Sequence, residues 1–172
     1  MFYKRPPALP DDDVLWEIYQ AGLRRLEVAG YHRYEISAFA KPGKQARHNL
    51  NYWEFGDYLG LGAGAHGKLT SAGSKIRTAK TRLPSDYLKA QKSTVTPIKP
   101  EDLMLEFLMN ALRLSKGFDR QTFVERTGLA SHVLDEFVRQ ASDAGFLEVE
   151  ESEIRPGERG LQYLNELLML VD

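Results

Sequence analysis

The sequence predicts an α/β fold followed by a small, mostly helical domain that resembles a winged helix. Two observations lead to this prediction. A helical pattern, a glycine and a β-rich segment follow one another between residues 10 and 40, which is half of a βαβ unit. After residue 100, three helical patterns precede a hairpin-like segment. A linker-like segment at residues 93–100 places the domain boundary, so we divide the chain into domains 1–92 and 93–172.

The first predicted element is a helix between the acidic run at residues 10–13 and Gly30. Aspartates at a helix N-terminus cap free backbone N–H groups, and glycine is common just beyond a helix C-terminus. Apolar residues recur between them at helical spacing, at Leu15, Ile18, Tyr19, Leu23 and Leu26. Residues 31–40 follow and are rich in β-formers, so we predict one strand there. One strand is not a sheet, so this section needs partners that the chain does not obviously supply.

The residues after 100 predict a compact helical module. Its helices are marked by apolar stripes and by residues that cap or end them. The predicted elements are a helix at 101–114 closed by Gly117, a helix from an Asp119 cap to Gly128, a helix from a Ser131 cap to Gly145, a hairpin at 146–156, and a last helix that carries Leu161, Leu164, Leu167 and Leu168. Three helices, a two-stranded wing and a final helix suggest a winged-helix-like domain.

Composition is that of an ordinary globular protein, with 42% hydrophobic and 27% charged residues and a net charge of −1. No segment is apolar enough to span a membrane, and the first residues lack a signal-peptide core, so we expect a cytoplasmic protein. The absence of cysteine excludes thiolate nucleophiles, Cys-held zinc and Cys-ligated iron–sulfur clusters. DNA binding is not expected, because the helix that would read the major groove is acidic, with Asp135, Glu136 and Asp143 against Arg139.

Residues 62–67 match the pattern G-x-G-x-x-G. A dinucleotide-binding loop with this pattern follows a strand and opens a helix. The residues after Gly67 have no helical pattern, so a tight turn or a close approach of two backbone segments is the alternative explanation for Gly62 and Gly64.

His48 allows two interpretations. Neutral imidazole binds iron well, and Tyr52 and Trp53 could cover a flat macrocycle, which points to a haem ligand or a catalytic base. The alternative is a loop histidine that forms hydrogen bonds to neighbouring backbone.

Two charged features are similarly open. The acid-free basic segment 68–82, which includes Arg77, either neutralises propionates or phosphates or forms a solvated face. Glu35 either touches a ligand from the interior face of a barrel, or pairs with Arg33 or solvent.

Four ordered motifs resemble the HemW-like haem chaperones, a family within the oxygen-independent coproporphyrinogen III oxidase-like radical SAM proteins. The motifs are GYHRYEISAFAKPG at 30–43, RHNLNYW at 47–53, GDYLGLGAGAHG at 56–67 and RTAKTR at 77–82. The resemblance covers nearly the whole chain and maps to the C-terminal half of the family. It implies that residues 1–92 are the end of an incomplete (β/α) radical SAM barrel and that the winged-helix-like domain follows.

The resemblance also implies haem binding and transfer of haem to an acceptor protein, with a 4Fe-4S cluster and S-adenosylmethionine in the complete protein. The family's HNxxYW motif falls on His48, Asn49, Tyr52 and Trp53, which makes His48 the candidate ligand of the haem iron. The other candidate contacts are Glu35, Gly62, Gly64 and Arg77.

The sequence departs from the family in the part that carries the radical chemistry. The family's CxxxCxxC motif lies in its N-terminal half, and this chain has no cysteine, so we expect a fragment that is not an enzyme by itself. Two alternatives remain open. One is a fragment of a coproporphyrinogen oxidase-like radical SAM enzyme, although Ser37 and Ala38 stand where such enzymes carry an Asp-His pair. The other is a non-catalytic winged-helix interaction module.

Overall fold

The structure, a computed structural model, describes residues 6–71, 73–90 and 92–171. It is a mixed α/β protein, and every strand pair in the described residues is antiparallel. The helices are α1 (Asp12–Val28), α2 (Arg47–Trp53), α3 (Pro84–Ala90), α4 (Pro100–Ala111), α5 (Arg120–Thr127), α6 (Asp135–Asp143), α7 (Glu158–Gln162) and α8 (Leu164–Leu168). The strands are β1 (His32–Glu35), β2 (Ala38–Ala40), β3 (His66–Ser71), β4 (Ser74–Lys80), β5 (Ser93–Pro97), β6 (Phe118–Asp119), β7 (Leu147–Glu150) and β8 (Glu153–Pro156). The described residues form three sheets, with the strand orders β1–β2, β3–β4–β5 and β6–β8–β7.

Helix α1 forms where its sequence signals predict it. The Asp11 carboxylate accepts a hydrogen bond from the Val14 N–H at 3.0 Å, and the left-handed Gly30, with a φ of 79°, follows the helix. The helix contains no buried residue; Leu15, Trp16 and Ile18 are exposed, and Leu23 and Leu26 are half-buried. The described chain therefore leaves most of this amphipathic helix without a packing partner. No helix in the described residues is long and apolar enough to cross a membrane.

The prediction of a single strand at residues 31–40 was wrong, because the segment folds back on itself as the β1–β2 hairpin. Glu35 pairs with Ala38 across the hairpin, with an irregular register at its tip. The Glu35 carboxylate closes the turn by accepting hydrogen bonds from the backbone N–H of Ser37 at 3.2 Å and from its hydroxyl at 3.1 Å. A side chain that forms a hydrogen bond to the backbone two residues away favours a turn over a continued strand. Strand propensities of single residues do not include this hydrogen bond, so they predicted one strand.

The linker predicted at residues 93–100 was also wrong in its first part, because Ser93–Pro97 forms the edge strand β5. It pairs along its length with β4, from Ile76 opposite Pro97 to Lys80 opposite Ser93. A proline is tolerated on an edge strand, where its missing N–H breaks no ladder bond that the sheet needs. Thr94, Val95 and Thr96 are β-formers, but the prolines at 97 and 100 favoured the prediction of a linker.

The hydrophobic core is built around Phe107 of α4, which is fully buried. Its ring packs edge-to-face against Phe55, Phe118 and Phe123, with centroid distances of 5.8, 4.9 and 5.2 Å. Such aromatic pairs stabilise a core beyond the area that they bury. Because Phe55 precedes the helical module in sequence, the core joins the first section of the chain to the second.

Most elements of the helical module were predicted correctly. Asp119 caps α5 through the Thr122 N–H at 2.7 Å, the left-handed Gly128 ends it, and the hairpin expected at 146–156 is β7–β8. The Ser131 cap was wrong, because a 3-10 turn over Ser131–Leu134 precedes α6 and no side-chain cap forms there. The last predicted helix divides into α7 and α8 at Tyr163.

Candidate functional site

The HNxxYW motif lies on α2, a helix of seven residues with a buried aromatic residue just after it. The chain reverses direction beyond the helix at Phe55, which adopts a left-handed φ of 54°. This conformation is uncommon for a bulky residue, and it turns the Phe55 ring into the core beside Phe107. Local periodicity did not predict this helix, and the interpretation of His48 as a loop histidine was wrong.

His48 lies in the first turn of α2 and is exposed. Its ring meets the Tyr52 ring edge-to-face, with centroids 4.8 Å apart, as residues four apart on a helix can. No hydrogen bond to another described residue occupies the imidazole nitrogens. The site therefore presents an accessible imidazole supported by an aromatic ring.

Tyr52 connects α2 to the sheet. Its ring packs against Tyr58, with centroids 4.3 Å apart, and Tyr58 lies beside Arg77 of β4. Arg77 forms an ion pair with Glu106 of α4, with 3.3 Å between Arg77 Nε and Glu106 Oε1. Hydrogen bonding to Glu106 and its negative charge raise the pKa of Arg77 above its usual range. The guanidinium is thus held between the sheet and α4 by a carboxylate of the same chain.

Lys68 of β3 is buried on the core side of the sheet, and only 3% of its surface is exposed. Its Nζ donates to Phe55 O at 2.9 Å and to Asp57 Oδ1 at 3.2 Å, and it lies 4.1 Å from the Phe55 ring centroid. Burial lowers the pKa of Lys68, because removal from water disfavours the charged form more than Asp57 restores it. Lys75 is buried as well, so the interpretation of segment 68–82 as a solvated face was wrong for these two lysines.

Asp57 accepts hydrogen bonds from Lys68 and from both the backbone N–H and the hydroxyl of Thr70, at 2.8 and 3.0 Å. Burial tends to raise the pKa of Asp57, but these hydrogen bonds and the lysine charge outweigh it, and the pKa is lowered. The carboxylate therefore stays ionised and holds the segment after α2 against β3.

Glu35 is 3% exposed and does not pair with Arg33, which donates instead to the Tyr19 hydroxyl at 3.2 Å. The partner of Glu35 is Arg113, whose Nη2 lies 3.4 Å from Glu35 Oε2. The Arg113 guanidinium in turn covers the Trp53 ring, with Cζ 4.4 Å from its centroid. Glu35 thus reaches the motif on α2 only through Arg113.

Gly62 and Gly64 form a backbone turn, with φ values of 98° and 73°. The Gly64 N–H donates to Thr81 O at 2.8 Å, and the Gly62 N–H donates to the Tyr87 hydroxyl at 3.3 Å. A strand, β3, follows this turn, whereas a dinucleotide fingerprint requires a helix there. The tight-turn interpretation is therefore the correct one.

The structure brings together some of the predicted site residues and separates others. Tyr52 and Arg77 are joined through Tyr58, and Trp53 and Glu35 are joined through Arg113. The glycine turn is bonded to Thr81 and Tyr87, and none of the hydrogen bonds of Gly62 and Gly64 joins it to these links.

Sequence reasoning missed Arg113 and Glu106, and it included Lys68 in the basic segment 68–82 without predicting its burial. The alternation of Lys68 and Thr70 in a strand could have indicated that both face the same side. No local signal marks Arg113 or Glu106, because their partners are distant in sequence.

No group of three or more His, Cys, Asp or Glu residues in the described part of the chain could hold a metal ion. The sequence has no cysteine, so its residues do not fit a Cys-ligated 4Fe-4S cluster. Haem iron requires only one protein ligand, which an exposed imidazole can supply. A cleft of about 380 Å³ has Trp53 in its wall, but His48 does not line it. A macrocycle on His48 would therefore lie on the outer surface of α2.

Comparisons with known proteins agree on one family. The family model for the HemN C-terminal domain matches residues 98–163. The chain is 44% identical to "Heme chaperone HemW" of Escherichia coli, over 99% of the chain and 46% of that protein. It is 43% identical to the protein of the same name in Haemophilus influenzae, over 99% of the chain and 45% of that protein. The chain thus spans slightly less than half the length of these relatives.

Two more distant matches are named as radical SAM proteins. "Radical S-adenosyl methionine domain-containing protein 1, mitochondrial" of Bos taurus is 30% identical over 93% of the chain and 39% of that protein. The solved structure of coproporphyrinogen III oxidase (HemN) from Escherichia coli, described as a radical SAM enzyme, superposes with a TM-score of 0.65. That match covers 95% of this chain and 42% of the oxidase at 15% identity, so it shows a shared fold.

Proposed function

The chain belongs to the HemW-like branch of the HemN-related proteins, and on that premise we propose that it binds haem and serves, as part of a haem chaperone, to pass haem to an acceptor protein. The observation that carries this proposal is the exposed imidazole of His48, which no described hydrogen bond occupies and which the Tyr52 ring supports. Neutral imidazole is a common axial ligand of haem iron.

His48 is the proposed iron ligand, with Asn49 and Tyr52 as neighbouring contacts and Trp53 as the residue that anchors the helix. Arg77 is paired with Glu106, yet 43% of its side chain is exposed, so it can still attract a propionate near Tyr58. In this proposal Gly62 and Gly64 form a rigid turn and do not contact the haem.

The proposal assigns no radical chemistry to this chain. The 4Fe-4S cluster and S-adenosylmethionine belong, in our proposal, to the part of the relatives that this chain does not match, since the sequence contains no cysteine. The oxidase alternative gains no support from the hairpin, because the Ser37 hydroxyl is bonded to Glu35 and Ala38 carries no polar side-chain atom.

We also retain the two-part organisation as a proposal, with β5 assigned to the first part. The first part would be the end of a (β/α) barrel, consistent with the unpartnered apolar face of α1. The second would be winged-helix-like, which the order α4, β6, α5, α6, β7, β8 and the sheet order β6–β8–β7 support. On α6, Arg139 is paired with Glu136 and Asp143, so this helix offers no free cation to phosphate and suits a protein partner better than nucleic acid. A cytoplasmic location remains a prediction from the sequence.

Titration of the chain with haem, followed by absorbance in the Soret region, tests the proposal. The wild type is compared with His48→Ala and with His66→Ala, which removes another exposed histidine and leaves α2 intact. We expect His66→Ala to behave as the wild type, and His48→Ala to lose saturable binding or to give a Soret band at a different wavelength. Far-UV circular dichroism confirms that both variants are folded. Identical spectra and affinities for the wild type and His48→Ala would show that His48 is not the ligand.

A further inference from the structure

A buried carboxylate, a guanidinium and an indole form one continuous contact between the β1–β2 hairpin and α2. Glu35 Oε2 lies 3.4 Å from Arg113 Nη2, and Arg113 Cζ lies over the Trp53 ring, 4.4 Å from its centroid. Ser37 binds the other carboxylate oxygen. Because Glu35 is almost completely buried, its carboxylate needs a positive charge and hydrogen-bond donors, which Arg113 and Ser37 supply.

The backbone holds Arg113 in the same place. The Ile36 N–H donates to Arg113 O at 2.9 Å, the Ser115 N–H donates to Tyr34 O at 3.1 Å, and Glu35 forms an isolated bridge with Leu114. Both the main chain and the side chain of Arg113 are therefore bonded to the hairpin, and the same guanidinium contacts Trp53. A guanidinium held in this way presents a rigid plane to an aromatic ring.

Helix α2 requires such an anchor. It has seven residues, no side-chain N-cap and no buried residue, and helices of this length do not persist in water by themselves. Its C-terminal end is tied to the segment after α4 by Trp53 on Arg113 and by the adjacent ion pair between Glu54 and Lys116 at 2.7 Å. The Trp53 Nε1 atom is buried without a hydrogen-bond partner in the described residues, so stacking rather than hydrogen bonding fixes the indole.

We propose that Arg113 is a positioning residue for haem binding: Glu35 orients its guanidinium, the guanidinium orients Trp53, and Trp53 sets the direction in which α2 presents His48. This inference rests on the proposed haem function. From the sequence, Glu35 is a candidate for direct contact with the ligand. In this proposal Glu35 acts through Arg113 and does not contact the haem.

The test uses Arg113→Lys, which keeps the charge opposite Glu35 but removes the plane that covers Trp53. Arg120→Lys is the matched control, because Arg120 is exposed to nearly the same degree, 27% against 28%, and is paired with Asp135 at 2.7 Å in the helical module. Trp16 and Trp53 are the two tryptophans of the sequence, so both substitutions are made in a Trp16→Phe background, where Trp53 alone emits. Acrylamide quenching then reports the exposure of Trp53 without haem, and haem titration reports affinity.

We expect Arg113→Lys to increase the quenching of Trp53 and to weaken haem binding about tenfold, as loss of a residue that orients a metal ligand typically does. Arg120→Lys should change neither measurement. If quenching of Trp53 is unchanged in Arg113→Lys, or if Arg120→Lys loses haem affinity equally, the proposal is wrong.

A double variant separates positioning from stability. Arg113→Met leaves Glu35 buried and unpaired, whereas the double variant Glu35→Gln/Arg113→Met removes both charges and should recover much of the lost stability. We expect haem affinity to stay low in the double variant because Trp53 still lacks the guanidinium that orients it, and recovery of affinity together with stability would overturn the proposal. If the wild type shows no saturable haem binding, the haem function fails, and if it binds haem identically to His48→Ala, His48 is not the ligand. In either case the quenching of Trp53 alone decides whether Arg113 orients α2.

Discussion

Gly117 is the position where one added methyl group should damage the fold most. It joins α4 to β6 with a left-handed φ of 64°, and a Cβ there would lie 2.6 Å from Arg155 Cα and closer still to Ile154 O. Alanine in this conformation costs about 1 kcal/mol in backbone strain. Separating β6 from β8 to make room costs about 2 kcal/mol more, in the range of other overpacked cores. Gly117→Ala should therefore lose about 3 kcal/mol of unfolding free energy, or about 6–12 °C in Tm for a chain of this size.

Gly145→Ala is the matched control for this prediction. Gly145 has a similar φ of 72°, but nothing lies within 4 Å of the position that its Cβ would take. It should lose only the backbone strain, about 1 kcal/mol. Urea unfolding followed by far-UV circular dichroism measures both variants against the wild type. If the two alanines lose the same free energy of unfolding, the steric argument for Gly117 is wrong.

Two further predictions concern the ion pair between Asp57 and Lys68 and the hydrophobic core. Because hydrogen bonds from Thr70 and Lys68 keep the pKa of Asp57 below its unfolded value of 3.8, its stabilising contribution is complete above that value and is lost as pH falls through the lower, folded pKa. Asp57→Asn should thus flatten the fall in stability below about pH 4, and urea unfolding that shows an unchanged acid slope would contradict this. Phe107→Ala should lose about 4 kcal/mol of unfolding free energy, whereas Leu105→Ala, at an exposed position of the same helix, should lose little, and equal losses would refute the assignment of the core.

The sequence predicted correctly those helix ends that are determined by capping residues and glycines close by in the chain. Asp11 and Asp119 cap their helices, and Gly30 and Gly128 follow α1 and α5 in the left-handed conformation that lets the chain leave a helix. These residues act through backbone groups within a few positions, so their effect can be read from the sequence alone.

The elements that were missed depend on contacts that the sequence does not display. Helix α2 has too few residues for periodicity, and tertiary contacts at Trp53 and Phe55 hold it in place. Strand β5 is revealed only by its partner β4. Resemblance to a family singled out His48 but gave no indication of the ion pair between Glu35 and Arg113, which are 78 positions apart.

That separation has a consequence for the order in which the chain folds. Closing a loop of 78 residues costs about 4 kcal/mol of chain entropy, whereas hairpins and helices close far shorter loops and form in microseconds. We therefore expect the pairing of residues 34–36 with 113–115 to form after the hairpins and α4. Helix α2 acquires its direction through this pairing, so an ordered His48 is available only when folding is nearly complete. A chain still leaving the ribosome, or one that has begun to unfold, would offer haem no organised ligand.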